Sequence, residues 1–164
     1  MKRHLKISAI AMAAAALVGL GTSSIAQQGK LSGDSVKIGV LTDMSGVYAD
    51  YGGPGAVAAA KMAVQDFGGK MFGKPIEVVN ADHQNKPDIA KNVTQQWFDR
   101  DGVDMTVENL NSAVALTVQG LAKEKNKIAI VTGAATARLT NEDCAPGNGI
   151  HYLMDTIALS NVVG

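Results

Sequence analysis

Apolar runs of strand length alternate along the chain with longer segments whose apolar residues have the period of a helix. The predicted strands are residues 36–41, 76–79, 103–107, 127–131 and 150–154. They are short and rich in β-branched residues, and they lack the polar–apolar alternation expected where one face of a strand meets water. This pattern is typical of strands that are buried on both faces, as in parallel sheets.

The helical segments between these strands complete a regular alternation. The predicted helices are residues 54–67, a segment that begins at 85–88, and residues 112–123. In the third of them Val114, Val118 and Leu121 fall on one apolar stripe. Strands that alternate with helices predict an α/β fold with a doubly wound parallel sheet. We expect the predicted strands to lie in the sheet in the order 2-1-3-4-5, so that the first strand lies between the second and the third.

The first 26 residues have the pattern of a secretory signal peptide. A positively charged start precedes an apolar stretch at residues 7–20, and the small residues Ser24 and Ala26 predict cleavage after Ala26. The apolar stretch has about 14 residues, whereas a bilayer-spanning helix needs roughly 20. We therefore expect a soluble periplasmic protein with no membrane span after cleavage. The single cysteine, Cys144, excludes a disulfide within the chain.

Composition and charge narrow the class of protein further. The chain of 164 residues is 46% hydrophobic and 18% charged, which is typical of a folded globular domain. Three of its 15 basic residues and none of its 15 acidic residues lie in the leader, so the remainder has a net charge of −3. A nucleic-acid-binding domain needs a basic face, so we expect no nucleic-acid partner.

Polar and small residues follow four of the predicted strands, at the edge where a parallel sheet binds its ligands. These segments are residues 42–51, 80–85, 109–112 and 132–136. Hydroxyl groups and exposed backbone N–H groups at helix N-termini suit a carboxylate or another small anion. The alternative interpretation is that the Ser, Thr and Asn residues only cap helices, because capping favours the same residue types.

Enzymatic interpretations have less support in the sequence. The segment from Gly53 to Ala58 matches G-x-G-x-x-A, but the dinucleotide-binding turn must follow its strand immediately, and about ten residues intervene here. Asp82 and His83 are adjacent on a strand end and so point to opposite faces. No metal-ligand spacing or nucleophile motif is present in the sequence. We predict no catalytic residue, metal or cofactor, and an exported enzyme or nucleotide-binding domain is kept as the alternative.

Five strings in order resemble the periplasmic solute-binding proteins of the branched-chain amino acid type, which serve ABC importers. They are VKIGVLTDMSGVYADYGGPG, GGKMFGKPIEVV, DHQNKPDIA, NSAVAL and GAATARLT. The resemblance implies the N-terminal lobe of a two-lobed type I binding protein. That lobe would span residues 36–155, after a signal peptide at 1–26 and a linker at 27–35. Residues 156–164 would begin a crossover helix toward a missing second lobe, and a non-functional truncated product is a further alternative.

The resemblance also implies a ligand, a partner and site residues. The ligand would be an amino acid or a small carboxylate, with or without an aromatic ring, and the partner would be a membrane permease. The ligand carboxylate would be held by the hydroxyl of Ser112, or at its neighbour Ala113, by the Ala134 backbone N–H and by the Thr136 hydroxyl, while Tyr51 packs on the ligand. Secondary candidates are Ser45, Asn111 and Ala135. Two departures, the polar VENLNS string and Ile157, bear on the identity of the ligand.

Overall fold

The computed structural model describes residues 33–144 and 149–151. The elements are β1 (Val36–Thr42), α1 (Gly53–Asp66), β2 (Lys70–Met71), β3 (Lys74–Asp82), α2 (Pro87–Gln96), β4 (Met105–Glu108), α3 (Ser112–Lys125), β5 (Ile128–Val131) and β6 (Gly149–His151). A π-helical turn, Trp97–Asp101, continues α2, and a 3-10 turn, Ala137–Thr140, follows β5. The predicted leader, most of the predicted linker and the predicted helix at 156–164 lie outside the described residues.

The strands form one sheet in the order β2-β3-β1-β4-β5-β6. The pairs β3–β1, β1–β4, β4–β5 and β5–β6 are parallel. This confirms the predicted fold class and strand order. The added strand β2 is antiparallel to β3 and was not predicted. The turn between them contains Phe72 and Gly73 at φ +50° and +81°. Phenylalanine rarely adopts a positive φ, so the turn has no clear sequence signature.

The strand boundaries differ from the predicted ones, most of all for the second and third strands. The second predicted strand, 76–79, is extended at both ends to Lys74–Asp82, and the end of the fifth, 152–154, lies outside the described residues. The third predicted strand, 103–107, is displaced to Met105–Glu108. Gly102 ends the π-helical turn at φ +70°. The Val103 N–H donates to the Trp97 carbonyl at 3.0 Å. Val103 is therefore fully buried below the helix end instead of pairing in the sheet.

The two faces of the sheet are covered differently. Helices α2 and α3 pack against each other on one face of the sheet. Helix α1 covers the other face, where it contacts β1 and β3. The core on the α2–α3 face consists of Leu41, Ala90, Trp97, Phe98, Val103, Val114, Val118, Ala122 and Ala129. Trp97 is thus a core residue. On the α1 face an apolar groove of about 690 Å³ runs between α1 and the strands.

The connections fix where the sheet reverses its winding. From β1 the chain crosses through α1 to β3 on one side, and from β4 it crosses through α3 to β5 on the other. The switch point is therefore the crevice between the carboxyl ends of β1 and β4. The loops after β1, β4 and β5 surround this crevice, so the fold itself selects the place for a ligand site.

Candidate functional site

The loop after β1 is held in shape by two carboxylates. Asp43 is fully buried and accepts hydrogen bonds from the backbone N–H groups of Gly46, at 2.7 Å, and Tyr48, at 3.0 Å. Asp82, at the end of β3, accepts from the Ser45 hydroxyl at 2.7 Å. Ser45 was a secondary ligand candidate, and its hydroxyl proton is used here to hold the loop. Asp82 was the carboxylate considered for an enzyme, and it is a loop anchor.

The protonation of Asp82 follows from these contacts. Burial opposes ionisation, but the hydrogen bond from Ser45 and those from the backbone N–H groups of Met44 and Gln84 outweigh it. The pKa of Asp82 therefore lies below its ordinary value. The carboxylate stays ionised at neutral pH, as an acceptor for this loop requires.

Tyr51 lies where the β1 loop meets the β5 loop. Its side chain is 62% exposed, and its Cε1 lies 3.6 Å from the position that a Cβ on Gly133 would occupy. That same Cβ would overlap the end of the Leu110 side chain, so a larger residue at this position would require Leu110 to move. Tyr51, Gly52 and Gly133 line an open cavity of about 660 Å³, which we call the rim cavity. An exposed tyrosine ring at this place can pack on a ligand.

The N-terminus of α3 is capped by Asn111. Its side-chain oxygen accepts from the N–H groups of Ala113, at 2.8 Å, and Val114, at 3.0 Å. Its amide nitrogen donates to the Asn85 side-chain oxygen at 2.5 Å, which ties the β4 loop to the β3 loop. Asn111, a secondary ligand candidate, thus has the capping role that was the alternative interpretation.

Ser112 occupies the first position of α3 and is half-buried. Between described residues, no hydrogen bond uses its hydroxyl or its backbone N–H. Both groups belong to a helix N-terminus, where the partial positive charge of the helix dipole favours an anion. Ala113, the alternative from the resemblance, donates its own N–H to Asn111.

The loop after β5 contributes backbone and hydroxyl donors. Ala134 is buried as a whole residue, and it packs with Ala115, Val131 and Leu139. In the described part of the chain no hydrogen bond uses the Ala134 N–H. The half-buried residue Ala135 follows it. Thr136 accepts from the Arg138 N–H at 3.3 Å and caps the 3-10 turn, and its hydroxyl proton is not used by that contact.

Glu108 was missed by the sequence analysis. It ends β4, is 7% exposed, and adopts φ +84°, with Asn109 next to it at φ +53°. Its carboxylate accepts from the Thr132 hydroxyl and lies against Gly52. Burial raises the pKa of Glu108, and the hydrogen bond from Thr132 opposes this only in part. The polar VENLNS string was the available signal, because it contains a glutamate at a position that the fold buries.

His83 is a structural residue in this arrangement. It is fully buried, and its Nδ1 accepts from the Asn85 backbone N–H at 3.0 Å. Burial lowers its pKa, although the charges of Asp43 and Asp82 oppose the shift. Within residues 33–144 and 149–151, no group of three or more His, Cys, Asp or Glu residues could hold a metal ion.

Comparisons with known proteins identify the family of the chain. A family model described as periplasmic binding protein matches residues 35–164. A solved periplasmic binding protein from Burkholderia mallei is 57% identical, with a TM-score of 0.70, over 73% of this chain and 32% of that one. A branched-chain amino acid ABC transporter periplasmic ligand-binding protein from Burkholderia xenovorans is 46% identical, with a TM-score of 0.67, over 69% and 30%.

A more distant solved structure shows a ligand. This solute-binding protein of an ABC transporter from Rhodopseudomonas palustris, in complex with 3,4-dihydroxybenzoic acid, is 28% identical, with a TM-score of 0.65, over 73% of this chain and 32% of that one. The chain thus spans about a third of the length of the solved proteins that it matches. Curated proteins provide no match.

Proposed function

The chain belongs to the family of periplasmic binding proteins, and we propose that it captures an amino acid or a small carboxylate for an ABC importer. It binds its ligand without transforming it, as the solute-binding family does. The ligand lies at the carboxyl ends of β1, β4 and β5. A membrane permease receives the ligand.

The observation that carries this proposal is a set of donors that the fold leaves unused at one edge of the sheet. The Ser112 hydroxyl, the Ala134 N–H and the Thr136 hydroxyl proton form no hydrogen bond between described residues. Ser112 begins α3, after β4, and Ala134 and Thr136 lie in the loop after β5, the neighbouring strand. A carboxylate accepts several such bonds at once, and each bond to a charged group contributes about 1.5–3 kcal/mol.

The ligands of solved relatives support the same chemistry. One relative is solved with benzoate and another, from Streptococcus pneumoniae, with isoleucine. These two ligands share a carboxylate and an apolar body and differ in their other groups. The unused donors of this chain suit the shared carboxylate, and the exposed ring of Tyr51 suits the apolar body.

The proposed location is the periplasm, with a signal peptide removed after Ala26. The family and the leader pattern both support this location. Among the described residues no helix is long and apolar enough to cross a membrane.

The test compares two substitutions of Thr136 in the 164-residue chain. Thr136→Val keeps the shape and removes the hydroxyl, whereas Thr136→Ser keeps the hydroxyl. Loss of a hydrogen bond to a charged group corresponds to roughly tenfold to hundredfold in affinity. We expect that loss for benzoate and isoleucine in Thr136→Val, measured by NMR titration, and near wild-type affinity in Thr136→Ser. Binding that is equal in all three proteins would contradict the assignment of Thr136.

A further inference from the structure

Glu108 has a backbone conformation that its residue type does not favour. A glutamate at φ +84° is strained, because only glycine adopts this region without a steric cost. Such strain persists where the surrounding structure enforces it, and it clusters at functional sites. The strained backbone at Glu108 therefore indicates that the position of its side chain matters.

The strained backbone determines the face of the sheet on which this side chain lies. Residues alternate between faces along a strand, and Val107, its neighbour, lines the groove on the α1 face. Regular strand geometry would place Glu108 on the opposite face, toward α2 and α3. Glu108 lies instead on the α1 face, where it meets Thr132 and Gly52. The positive φ thus brings a carboxyl group to the switch point.

The surroundings of this carboxyl are incomplete. One oxygen, Oε2, accepts from the Thr132 hydroxyl, and the other, Oε1, lies 2.5 Å from where a Cβ on Gly52 would be. No ion pair between described residues includes Glu108. The hydroxyl of Thr42, close to the same point on Gly52, is buried and has no hydrogen-bond partner among the described residues. A buried carboxyl with remaining acceptor capacity is costly unless a donor reaches it.

A ligand in the rim cavity can supply that donor. Glu108 and Thr132 line both the rim cavity and the apolar groove, at the place where the two meet. Gly52 has no side chain that would cover Oε1, and any larger residue there would overlap the carboxyl. The carboxyl is therefore within reach from the side on which Tyr51 lies.

We propose that Glu108 is a specificity-determining residue, which selects carboxylates that bear a second group with an N–H or O–H donor. This inference rests on the proposed function, because it concerns the second group of a ligand whose carboxylate meets Ser112, Ala134 and Thr136. Those three residues do not line the rim cavity, which reaches the loop after β5 at Gly133. A ligand with such a donor can hydrogen-bond to Glu108 Oε1, whereas a ligand without one leaves that buried oxygen without a donor from the ligand. Sites built to hydrogen-bond a substrate group reject analogues that lack the group, because the buried partner is left unpaired.

The raised pKa of Glu108 is consistent with this role. Burial disfavours the charged form, and a donor supplied by the ligand would compensate for it. The two sources of the donor, a hydroxyl and an ammonium group, share the chemistry that Glu108 recognises. The experiment therefore needs a matched pair of ligands for each source.

The test measures affinity for two such pairs with the 164-residue chain by NMR titration. One pair is 4-hydroxybenzoate and benzoate, and the other is isoleucine and 3-methylpentanoate, its analogue without the amino group. The wild-type chain should prefer the donor-bearing member of at least one pair by about tenfold or more. The pair that shows the preference identifies the source of the donor.

Two variants assign the preference to Glu108. Glu108→Gly removes the carboxyl and suits the positive φ, so it should fold and bind both members of each pair equally well. Glu77→Gln removes an exposed carboxylate from the first half of β3, away from the rim cavity, and should keep the wild-type preference. Thermal unfolding followed by circular dichroism verifies that both variants are folded.

The outcomes separate the two proposals. If the wild-type chain binds all four ligands without preference, or if Glu108→Gly keeps the preference, the role of Glu108 is refuted while the proposed function stands. If the wild-type chain binds none of them, the proposed function fails, and this inference fails with it.

Discussion

Replacement of Asn111 by alanine tests whether a candidate ligand residue has a structural role. The substitution removes the oxygen that caps the N-terminus of α3, and removal of such a cap costs about 1 kcal/mol, within a range of about 0.5–2 kcal/mol. It also removes the hydrogen bond to Asn85, which contributes about 1 kcal/mol more. We expect Asn111→Ala to lower the free energy of unfolding by about 2 kcal/mol.

Urea denaturation followed by circular dichroism measures this loss. With a denaturant slope of about 1.5 kcal/mol per M for a domain of this size, the midpoint should fall by roughly 1.3 M. Asn111→Asp keeps a capping oxygen and adds a negative charge at a helix N-terminus, so it should lose clearly less stability than Asn111→Ala. Ser112→Ala should leave the midpoint nearly unchanged, because its hydroxyl forms no bond between described residues. An unchanged midpoint in Asn111→Ala, or an equal loss in Asn111→Asp, would refute the capping argument.

Three further predictions concern packing and pH. Gly39→Ala should destabilise the fold by about 1–3 kcal/mol in the same assay, because the added Cβ would lie 2.5 Å from the buried ring of Trp97. His83 has a lowered pKa in the fold, so stability should be lost as pH falls below about 6.5, and His83→Gln should reduce that loss, as measured by urea midpoints from pH 8 to pH 5. The pKa of Glu108 is raised in the fold, so its contribution to the free energy of unfolding is present below about pH 4.5 and is lost as pH rises. Glu108→Gln should therefore reduce the fall of the urea midpoint that accompanies this rise in pH.

The strands and their order could be predicted because they follow from apolar pattern and topology. The apolar run that became β1 is half-buried at its first three residues and buried from Gly39 to Thr42, which is typical of a strand inside a parallel sheet. The right-handed crossover rule then leaves few arrangements for parallel strands joined by helices. The stripe of Val114, Val118 and Leu121 faces the core for the same reason, and all three residues are buried.

The elements that could not be predicted depend on backbone conformations that their residue types disfavour. Phe72 at φ +50° forms the turn that adds β2, and Glu108 at φ +84° turns a carboxyl to the α1 face. Neither has a local preference for its conformation, so only the packed sheet selects it. The π-helical turn that displaces the start of β4 is likewise fixed by the burial of Trp97 and Val103.

The candidate site shows why capping and ligand binding are hard to separate in a sequence. A cap uses the lone pairs of a side-chain oxygen to accept from backbone N–H groups, whereas a carboxylate ligand needs donors. The oxygen of Asn111 accepts two N–H groups and its amide donates to Asn85, so both functions of that side chain are used by the fold. A hydroxyl can do both, because Thr136 accepts from the Arg138 N–H and still has a proton to donate. Capping by Thr136 therefore orients its hydroxyl for the proposed carboxylate instead of competing with it.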